Sequence, residues 1–326
     1  MEQFDIEKAV TAAMDAPAPR RWDDFLFDYS QPIVEEPAIA WIDGIGILYR
    51  EGPTIISGPK KAGKTSFVRL LLAAILSGED ILGITAEKEL KAVIFDTEQP
   101  PFRILNYLDK AFKMANKDRV LGDKLKVYRL REASIEARLQ IICEAIEDNQ
   151  PDIAIVDGIA DLVVDINNME TAQRIIDELL RVSDETGTAL VLVIHTNPTS
   201  PEGKSRGNLG TIAENKAECS ILISKSGDIF TVSCKDARGR TFPSFSYSKT
   251  KDDDIIQVTT QEKPVAAKDR IFAAMEPGKV YTHSELVGLL GEGSEGTAKS
   301  AINDLCRNGR IIKTGRGCYT LKLDDS

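Results

Sequence analysis

One short segment combines glycines, lysines and a hydroxyl side chain at a spacing that can bind phosphate groups. It reads Gly58-Pro-Lys-Lys-Ala-Gly-Lys-Thr65 and is followed by Ser66. Gly58 and Gly63 let the backbone turn its N–H groups toward an anion. Lys64 can reach the β- and γ-phosphates, and the Thr65 hydroxyl can bind magnesium. The pattern predicts a phosphate-binding loop for ATP and Mg²⁺, formed by Gly58, Pro59, Lys60, Lys61, Ala62, Gly63, Lys64, Thr65 and Ser66.

Two acidic residues stand where they could serve the same site. Asp157 ends the apolar run 153–156, and Glu98 lies just beyond the apolar run 92–95. Because parallel strands place their carboxyl ends at one edge of a sheet, both side chains are expected beside the loop. There Asp157 could hold Mg²⁺, and Glu98 could activate the attacking water as a general base. Each has a simpler interpretation, with Asp157 capping a turn and Glu98 starting a helix.

His195 follows the apolar run 190–194, which places it at the same edge of the predicted sheet. From there it could contact the γ-phosphate or orient Glu98. A purely structural histidine is the alternative. The other histidine, His283, is interpreted as a surface residue at the start of a helix.

Short apolar runs alternate with longer amphipathic stretches from Pro53 onward, which is typical of parallel strands joined by helices. Strands are predicted at 54–57, 92–96, 125–130, 153–157 and 190–194, and helices at 64–77, 101–115, 135–149 and 168–186. A glycine-rich loop is expected at 196–209, and further strands at 219–224, 229–234, 244–247 and 255–259. The predicted fold class is therefore α/β, with a mostly parallel sheet flanked by helices.

The segments on either side of this core have a different character. Residues 1–40 lack periodicity and are rich in proline, which predicts an N-terminal arm before a core domain at 41–250. The charged stretch 251–264 is predicted to be a linker. Residues 265–326 show three helices followed by two short strands, and the second helix opens with a capping box at Thr282 to Glu285. That order predicts a small winged-helix domain.

The charges of this last segment suit a nucleic-acid backbone. Nine basic and six acidic side chains lie between residues 265 and 323, whereas the whole chain has a net charge of −10. In a winged helix the third helix enters the major groove and the hairpin contacts phosphates. DNA contacts are therefore predicted for Lys299 on the helix and for Arg310, Lys313 and Arg316 around the hairpin. A protein-interaction module is the alternative.

The overall composition narrows the class of protein. The acidic net charge argues against a protein that coats nucleic acid non-specifically. The five cysteines are scattered and none is spaced as CxxC, which indicates free thiols in a reducing compartment and argues against a structural zinc site. The sequence shows no apolar run long enough to cross a bilayer and no signal-peptide pattern. A cytoplasmic protein without a membrane partner is expected.

Taken together, these motifs resemble the RecA/DnaB superfamily of P-loop ATPases, and most closely the RepA-like hexameric helicase ATPases of plasmids and mobile elements. The resemblance runs from about Trp41 to Tyr247 and begins at Trp41-Ile-Asp-Gly44. The segment Asp96-Thr-Glu-Gln99 is similar to the motif that carries the catalytic glutamate, and 153–157 is similar to the Walker B strand. The dipeptide Ile194-His195, followed by Gly203-Lys-Ser-Arg-Gly207, resembles the helicase-type sensor and DNA-facing loop.

The resemblance implies a RecA-like core in a homo-oligomeric ring, possibly a hexamer, with ATP bound between subunits. A neighbouring subunit would then supply Lys235 and Arg238 to the γ-phosphate, with Arg240 in reserve; a solvated basic turn is the alternative. Lys204 and Arg206 in the glycine-rich loop could track the phosphates of single-stranded DNA through the ring. That loop has no aromatic residue, so base stacking is not expected there.

Three functional hypotheses follow from these residues and from the resemblance. The first is a Mg-ATP hydrolase that acts on DNA as a helicase or helicase-like motor of a plasmid or mobile element. The second is an ATP-switched DNA-binding regulator or loader without unwinding activity. The third, a nucleotide-dependent small-molecule kinase, lacks any recognisable acceptor pocket in the sequence.

Overall fold

A computed structural model gives the structure of the chain, which divides into the units Met1–Pro37 and Ala38–Ser326. The structure describes residues 26, 37–50, 52–118, 124–197, 203–258, 271–272, 274–276, 278–288, 295–308, 310–315 and 317–321. All the elements below belong to the second unit. Most of the predicted N-terminal arm and residues 259–264 of the predicted linker lie outside the described residues.

The strands and helices follow the order that the sequence predicts, with several additions. The strands are β1 (Ala40–Ile42), β2 (Ile45–Leu48), β3 (Thr54–Gly58), β4 (Ile84–Ala86), β5 (Ala92–Asp96), β6 (Leu125–Arg129), β7 (Ile153–Asp157), β8 (Ala189–His195), β9 (Cys219–Ser226), β10 (Ile229–Ala237), β11 (Phe245–Lys249), β12 (Ile255–Val258), β13 (Tyr281–Thr282), β14 (Ile311–Gly315) and β15 (Cys318–Leu321). The helices are α1 (Lys64–Ser77), α2 (Pro101–Met114), α3 (Ile135–Asn149), α4 (Met169–Thr186), α5 (Gly207–Lys216), α6 (His283–Gly288) and α7 (Glu295–Arg307).

Within the described residues, one sheet of nine strands has the order β12-β11-β10-β9-β3-β8-β7-β5-β6. The pairs from β9 through β3, β8, β7 and β5 to β6 are parallel. The pairs among β9, β10, β11 and β12 are antiparallel. The predicted α/β fold with a mostly parallel sheet is confirmed.

Helices cover both faces of this sheet because successive strand residues point to opposite sides. In β3, Ile56 packs into a core with α1 and α2, whereas its neighbour Ile55 packs into a second core with α3, α4 and α5. Both side chains are fully buried. The two cores hold β3 in the middle of the sheet, and the phosphate-binding loop begins where β3 ends.

The helix α1 has the boundaries that the sequence predicts. It begins at Lys64, directly after Gly63, and Gly78 ends it in a left-handed conformation with its N–H donating to Ala74 O. Most of its side chains are buried, so tertiary packing supports it on nearly every side. This firm anchorage fixes the amino end of the helix, where an anion would bind.

A small sheet with the order β2-β1-β4 was not predicted from the sequence. Its strands have three or four residues each, too few for an alternating pattern to be recognised. The register between β1 and β2 also shifts beside Ala40. Pairing between distant segments, and not local pattern, forms this sheet.

The predicted loop at 196–209 is wrong at its carboxyl end, because α5 begins at Gly207. Two glycines and an asparagine in the first turn have low helix propensity, so no helix was predicted here. Packing stabilises it instead, since Leu209 and Ala213 are buried and Leu209 N donates to Ile166 O at 3.3 Å.

The C-terminal segment forms a third sheet, β13-β15-β14, with α6 and α7 packed on a core of its own. The predicted capping box is confirmed: Thr282 N donates to the Glu285 carboxylate at 2.7 Å, and Glu285 N donates to the Thr282 hydroxyl at 3.3 Å. The strand β13 was not predicted, since it has only two residues. The described part of the chain contains no helix that is both long and apolar enough to span a membrane.

Candidate functional site

The carboxyl ends of the central strands meet at one edge of the sheet. Gly58 of β3 is level with His195 of β8, and Asp96 of β5 is level with Asp157 of β7. A cleft of about 560 Å³ lies along this edge. It is lined by Lys60, Lys61, Gly63, Lys64, Thr65, Ser66, Glu98, Gln99, Arg103, Asp157, Gly158, Ala160, Val193, Ile194, His195, Lys225, Phe230 and Lys249.

The loop between β3 and α1 has a backbone that only glycine fits at two positions. A side chain at Gly58 would come within 2.4 Å of the Ile223 carbonyl oxygen on β9. Gly63 has a φ of 97°, and a side chain there would meet the Phe230 ring at 2.5 Å. Pro59 and Ala62 complete the loop, with Ala62 N donating to Pro59 O at 3.1 Å. The glycines therefore allow the loop to press against β9 and β10.

Three polar side chains follow one another across the cleft. The Lys64 ammonium lies 2.7 Å from His195 Nδ1 and also donates to the carbonyl oxygens of Gly58 and Pro59. His195 Nε2 lies 3.5 Å from Glu98 Oε1. An ammonium group can only donate, so Nδ1 is the accepting nitrogen and the neutral ring carries its proton on Nε2, facing Glu98. The predicted pairing of His195 with Glu98 is thus present in the geometry.

The electrostatics of the cleft are dominated by burial and by clustered carboxylates. Burial lowers the pKa of Lys64 to about 8, although Asp157 and Glu98 oppose this shift. Burial, together with repulsion from Asp96 and Glu98, raises the pKa of Asp157 to about 7. Hydrogen bonding to His195 lowers the pKa of Glu98. A cation near Asp157 would relieve the repulsion among these carboxylates.

Asp96 holds the backbone of Glu98, and no role was predicted for Asp96 from the sequence. Its carboxylate accepts hydrogen bonds from Glu98 N at 3.0 Å and Gln99 N at 2.7 Å, which fixes the turn after β5. Thr97 Oγ1 donates to Asp161 Oδ2 at 2.8 Å and ties this turn to the segment after β7. The sequence signal that could have identified Asp96 is its position as the last residue of a buried strand.

The other side of the cleft is built from β9, β10 and β11. The Phe230 ring stacks on Tyr247 with centroids 5.2 Å apart, and the Tyr247 hydroxyl donates to Gly63 O at 3.2 Å. The ammonium groups of Lys225 and Lys249 lie 5.0 and 5.1 Å from the Phe230 centroid. Sequence reasoning missed these residues because they lie far from the glycine-rich motif along the chain, and only strand pairing brings them to it.

The structure does not bring Lys235 and Arg238 to this cleft. The strand β10 starts beside the end of β9 and finishes at Ala237, which pairs with Cys219 at the start of β9. Both cations are held by carboxylates there, Lys235 by Glu214 at 2.6 Å and Arg238 by Glu218 at 3.1 Å. They lie at the opposite end of the strands from the phosphate-binding loop.

The residues predicted to contact DNA lie outside the cleft as well. Lys204 and Arg206 are exposed, and the backbone around them returns to β8 through hydrogen bonds from Asn197 N to Lys204 O and from Arg206 N to His195 O. In the C-terminal segment Lys299 on α7, Arg310 and Lys313 are exposed, and Arg310 lies 4.0 Å from the centre of the Phe272 ring. Arg316 lies outside the described residues.

The donor atoms in the cleft suit a magnesium ion. Thr65 supplies a hydroxyl oxygen and Asp157 a carboxylate, and magnesium prefers such hard oxygen ligands. Among the described residues, no group of three or more His, Cys, Asp or Glu side chains could hold a metal ion. Magnesium usually takes one or two protein oxygens and completes its shell with phosphate oxygens and water.

Comparison with known protein families identifies the kind of domain that contains this site. The family model AAA_25, described as an AAA domain, matches residues 19–200, more than half of the chain. The chain belongs to this family. The AAA domain spans β1 to β8 and so contains the phosphate-binding loop, Glu98, Asp157 and His195. A P-loop ATPase domain of this kind binds nucleotide, usually with Mg²⁺.

The AAA domain match ends before α5 and the antiparallel strands. Lys225, Phe230 and Lys249 therefore lie outside it, although they line the same cleft. A search of curated proteins finds no match to this chain.

Proposed function

We propose that this chain is a Mg-ATP hydrolase that acts on DNA, as a RepA-like helicase or helicase-like motor of a plasmid or mobile element. One observation supports the proposed ATP hydrolysis. The phosphate-binding loop, the carboxylates of Glu98 and Asp157, and His195 all line one cleft at the carboxyl edge of the sheet. In open α/β sheets this edge is where ligands bind.

The phosphate loop would bind the triphosphate through backbone N–H groups, the positive end of α1 and Lys64. Thr65 and Asp157 would hold Mg²⁺, which neutralises charge on the β- and γ-phosphates when bound. The low-dielectric position of Lys64 strengthens its attraction for phosphate, since few waters compete with it. These residues bind and orient the nucleotide.

Glu98 is the group placed to accept a proton from the attacking water. Its lowered pKa keeps it ionised at neutral pH, as a general base requires. His195 would orient the Glu98 carboxylate from 3.5 Å, and Asp96 holds the Glu98 backbone. His195 is accordingly a positioning residue in this proposal.

Lys235 and Arg238 would act on the ATP of a second copy of the chain. Their place at the far end of β10 prevents them from reaching the cleft of their own subunit. A homo-oligomeric ring, possibly a hexamer, would bring one subunit's β10 end to the next subunit's cleft. Each cation would then have to exchange Glu214 or Glu218 for phosphate.

The DNA-associated part of the proposal rests on two exposed basic regions. Arg206 N donates to His195 O and Asn197 N donates to Lys204 O, so movement of His195 would be transmitted to the segment that carries Lys204 and Arg206. In the C-terminal segment, α6, α7 and the β14–β15 hairpin have the order of a winged helix that binds duplex DNA. Lys299, Arg310 and Lys313 are exposed on it, and Arg316 belongs to the same hairpin in sequence.

ATP turnover with and without single-stranded DNA tests this proposal. We expect the purified full chain to hydrolyse ATP in the presence of Mg²⁺, faster with single-stranded DNA, and to displace a strand from a partial duplex. Lys64→Ala should abolish all three activities. Lys113→Ala is the matched control, because that exposed lysine pairs with Asp254 outside the cleft and should leave turnover unchanged.

The results separate the candidate functions. If turnover is slow and unchanged by single-stranded DNA, and if tight duplex binding is lost on Arg310→Ala, the motor hypothesis is wrong. The ATP-switched regulator would then be the function that the results support. A chain that retains no nucleotide in the presence of Mg²⁺ would overturn both.

A further inference from the structure

Two lysines share one aromatic ring at the mouth of the cleft. Tyr247 stacks on Phe230, and the ammonium groups of Lys225 and Lys249 lie 5.0 and 5.1 Å from the centre of the same Phe230 ring. The ring attracts each cation, but the two like charges repel one another. An anion between them would remove that repulsion.

The sheet topology indicates which end of a bound nucleotide faces these lysines. The carboxylates of β5 and β7 lie on one side of β3, together with the Mg²⁺ donors and Glu98. The strands β9, β10 and β11, which carry Lys225, Phe230 and Lys249, lie on the other side. The γ-phosphate belongs with the carboxylates, so the nucleoside end and the α-phosphate belong with the lysines.

An ion-pair network fixes the position of Lys249. Asp253, in the turn after β11, pairs with Lys249 at 3.1 Å, with Lys110 of α2 at 2.8 Å and with Arg69 of α1 at 2.9 Å. The Arg69 guanidinium also donates to the Asp253 carbonyl oxygen at 3.0 Å. One carboxylate thereby ties the Lys249 side chain to both helices that flank the cleft.

Both lysines line the cleft, where a ligand could contact them. Lys249 keeps 24% of its side chain exposed. Lys225 is exposed, and within the described part of the chain no salt bridge involves it. In a chain with a net charge of −10, cations that remain available in a cleft point to an anionic ligand.

We propose that Lys225 and Lys249 form a second cationic subsite that binds the nucleotide at its α-phosphate and nucleoside end, with Asp253 as the residue that positions Lys249. This inference rests on the proposed function, because it assigns the other end of the same nucleotide site. Since the subsite lies away from the γ-phosphate, it serves ADP and ATP alike and contributes to binding and not to the chemical step.

Nucleotide affinity of the full chain with single substitutions to methionine tests the subsite. Methionine keeps much of the aliphatic stem and removes only the charge. A charge-assisted contact to phosphate makes a large contribution, so Lys249→Met should raise the Kd for both ADP and ATP about tenfold. Lys225→Met, at a more exposed position, should raise both about threefold. The kcat for ATP hydrolysis should stay unchanged while KM rises.

Lys110→Met is the matched control, since Lys110 pairs with the same Asp253 carboxylate but does not line the cleft. Its nucleotide Kd should remain that of the unaltered chain. Asp253→Asn should raise KM about threefold with kcat unchanged, and should add nothing in a chain that already carries Lys249→Met, because the two residues act as one unit.

The outcomes distinguish this inference from the function on which it rests. An unaltered chain that binds no nucleotide overturns the proposed function itself. An unaltered chain that binds nucleotide, with Kd values that neither Lys249→Met nor Lys225→Met changes, overturns the subsite alone. A loss confined to ATP, with ADP binding intact, also overturns it, since it would place the lysines at the γ-phosphate.

Discussion

The two halves of the nine-stranded sheet build one cleft by different means. In the parallel half, β5, β7 and β8 each end in or beside a polar residue, and these residues converge because parallel strands end together. In the antiparallel half, Lys225 lies near the end of β9, Phe230 near the start of β10 and Lys249 at the end of β11. Strand register alone brings the latter three together.

The comparison assigns the chemical step to the parallel half and nucleotide binding to the antiparallel half. The parallel half supplies carboxylates and lies inside the AAA domain, whereas the antiparallel half supplies cations and an aromatic pair and lies outside it. Changes in the first half should therefore affect kcat, and changes in the second should affect KM and the stability of the loop. Three substitutions test this division between the two halves.

Glu98→Gln should have the largest effect on turnover. Loss of a general base lowers kcat by about 10²- to 10⁴-fold, and the amide should leave nucleotide affinity nearly intact. Steady-state hydrolysis together with nucleotide titration measures both. Glu89→Gln is the control, since that exposed glutamate pairs with Lys124 away from the cleft. A Glu98→Gln chain with normal kcat would contradict the assignment of the chemical step to the parallel half.

Phe230→Ala should have the largest effect on stability. Phe230 is only 6% exposed and supports both Tyr247 and Gly63, so its removal should lower the free energy of unfolding by about 3–5 kcal/mol. Denaturant unfolding measures this change. Phe102→Ala, at a ring that is 78% exposed on α2, is the control and should change stability little. Equal effects of the two substitutions would contradict a structural role for the aromatic pair.

Asp253→Asn should have a smaller effect that depends on pH. Arg69 is almost fully buried, but Asp253 keeps 42% of its side chain exposed, so we expect a loss of about 1–2 kcal/mol at neutral pH. Partial burial would raise the pKa of Asp253, yet hydrogen bonds from Lys110, Arg69 and Lys249 outweigh it and lower that pKa below its usual 3.8.

The sign of this pH dependence follows from the lowered pKa. The stabilisation is complete above pH 3.8, where the carboxyl is ionised in the folded and unfolded chains, and it is lost as the pH falls below that value. The difference in unfolding free energy between the unaltered and Asp253→Asn chains should therefore shrink below about pH 4. Unfolding curves at a series of pH values measure it, and a difference that stays constant into acid would contradict the ion-pair network.

The sequence predicted the parallel half better than the antiparallel half, for a physical reason. The limits of α1, the strand before it and the position of Asp157 are set by local signals, namely glycines, apolar runs and helix ends. Asp96 was within reach of the same reasoning. Lys225 and Lys249 could not be predicted in this way. Nothing nearby in the sequence distinguishes them from any lysine of a solvated strand, and only the pairing of β9, β10 and β11 brings them to the cleft.

The other differences have the same origin. The short strands of the β2-β1-β4 sheet and the helix α5 are stabilised by contacts between distant segments, whereas their own residues have weak preferences. The charged stretch after Lys249 was predicted to be a linker. In the structure its first residues form the turn that carries Asp253, and the strand predicted at 255–259 follows as β12, which joins the large sheet.

The contact between Gly63 and the stacked rings of Phe230 and Tyr247 sets an order of events during synthesis. The Tyr247 hydroxyl and the Gly63 carbonyl oxygen are 184 residues apart in the chain. A nascent polypeptide exposes the complete glycine-rich motif long before β10 and β11 leave the ribosome, and contacts this distant form late. The contacts that support the loop from β10 and β11 therefore form only when the core is almost complete.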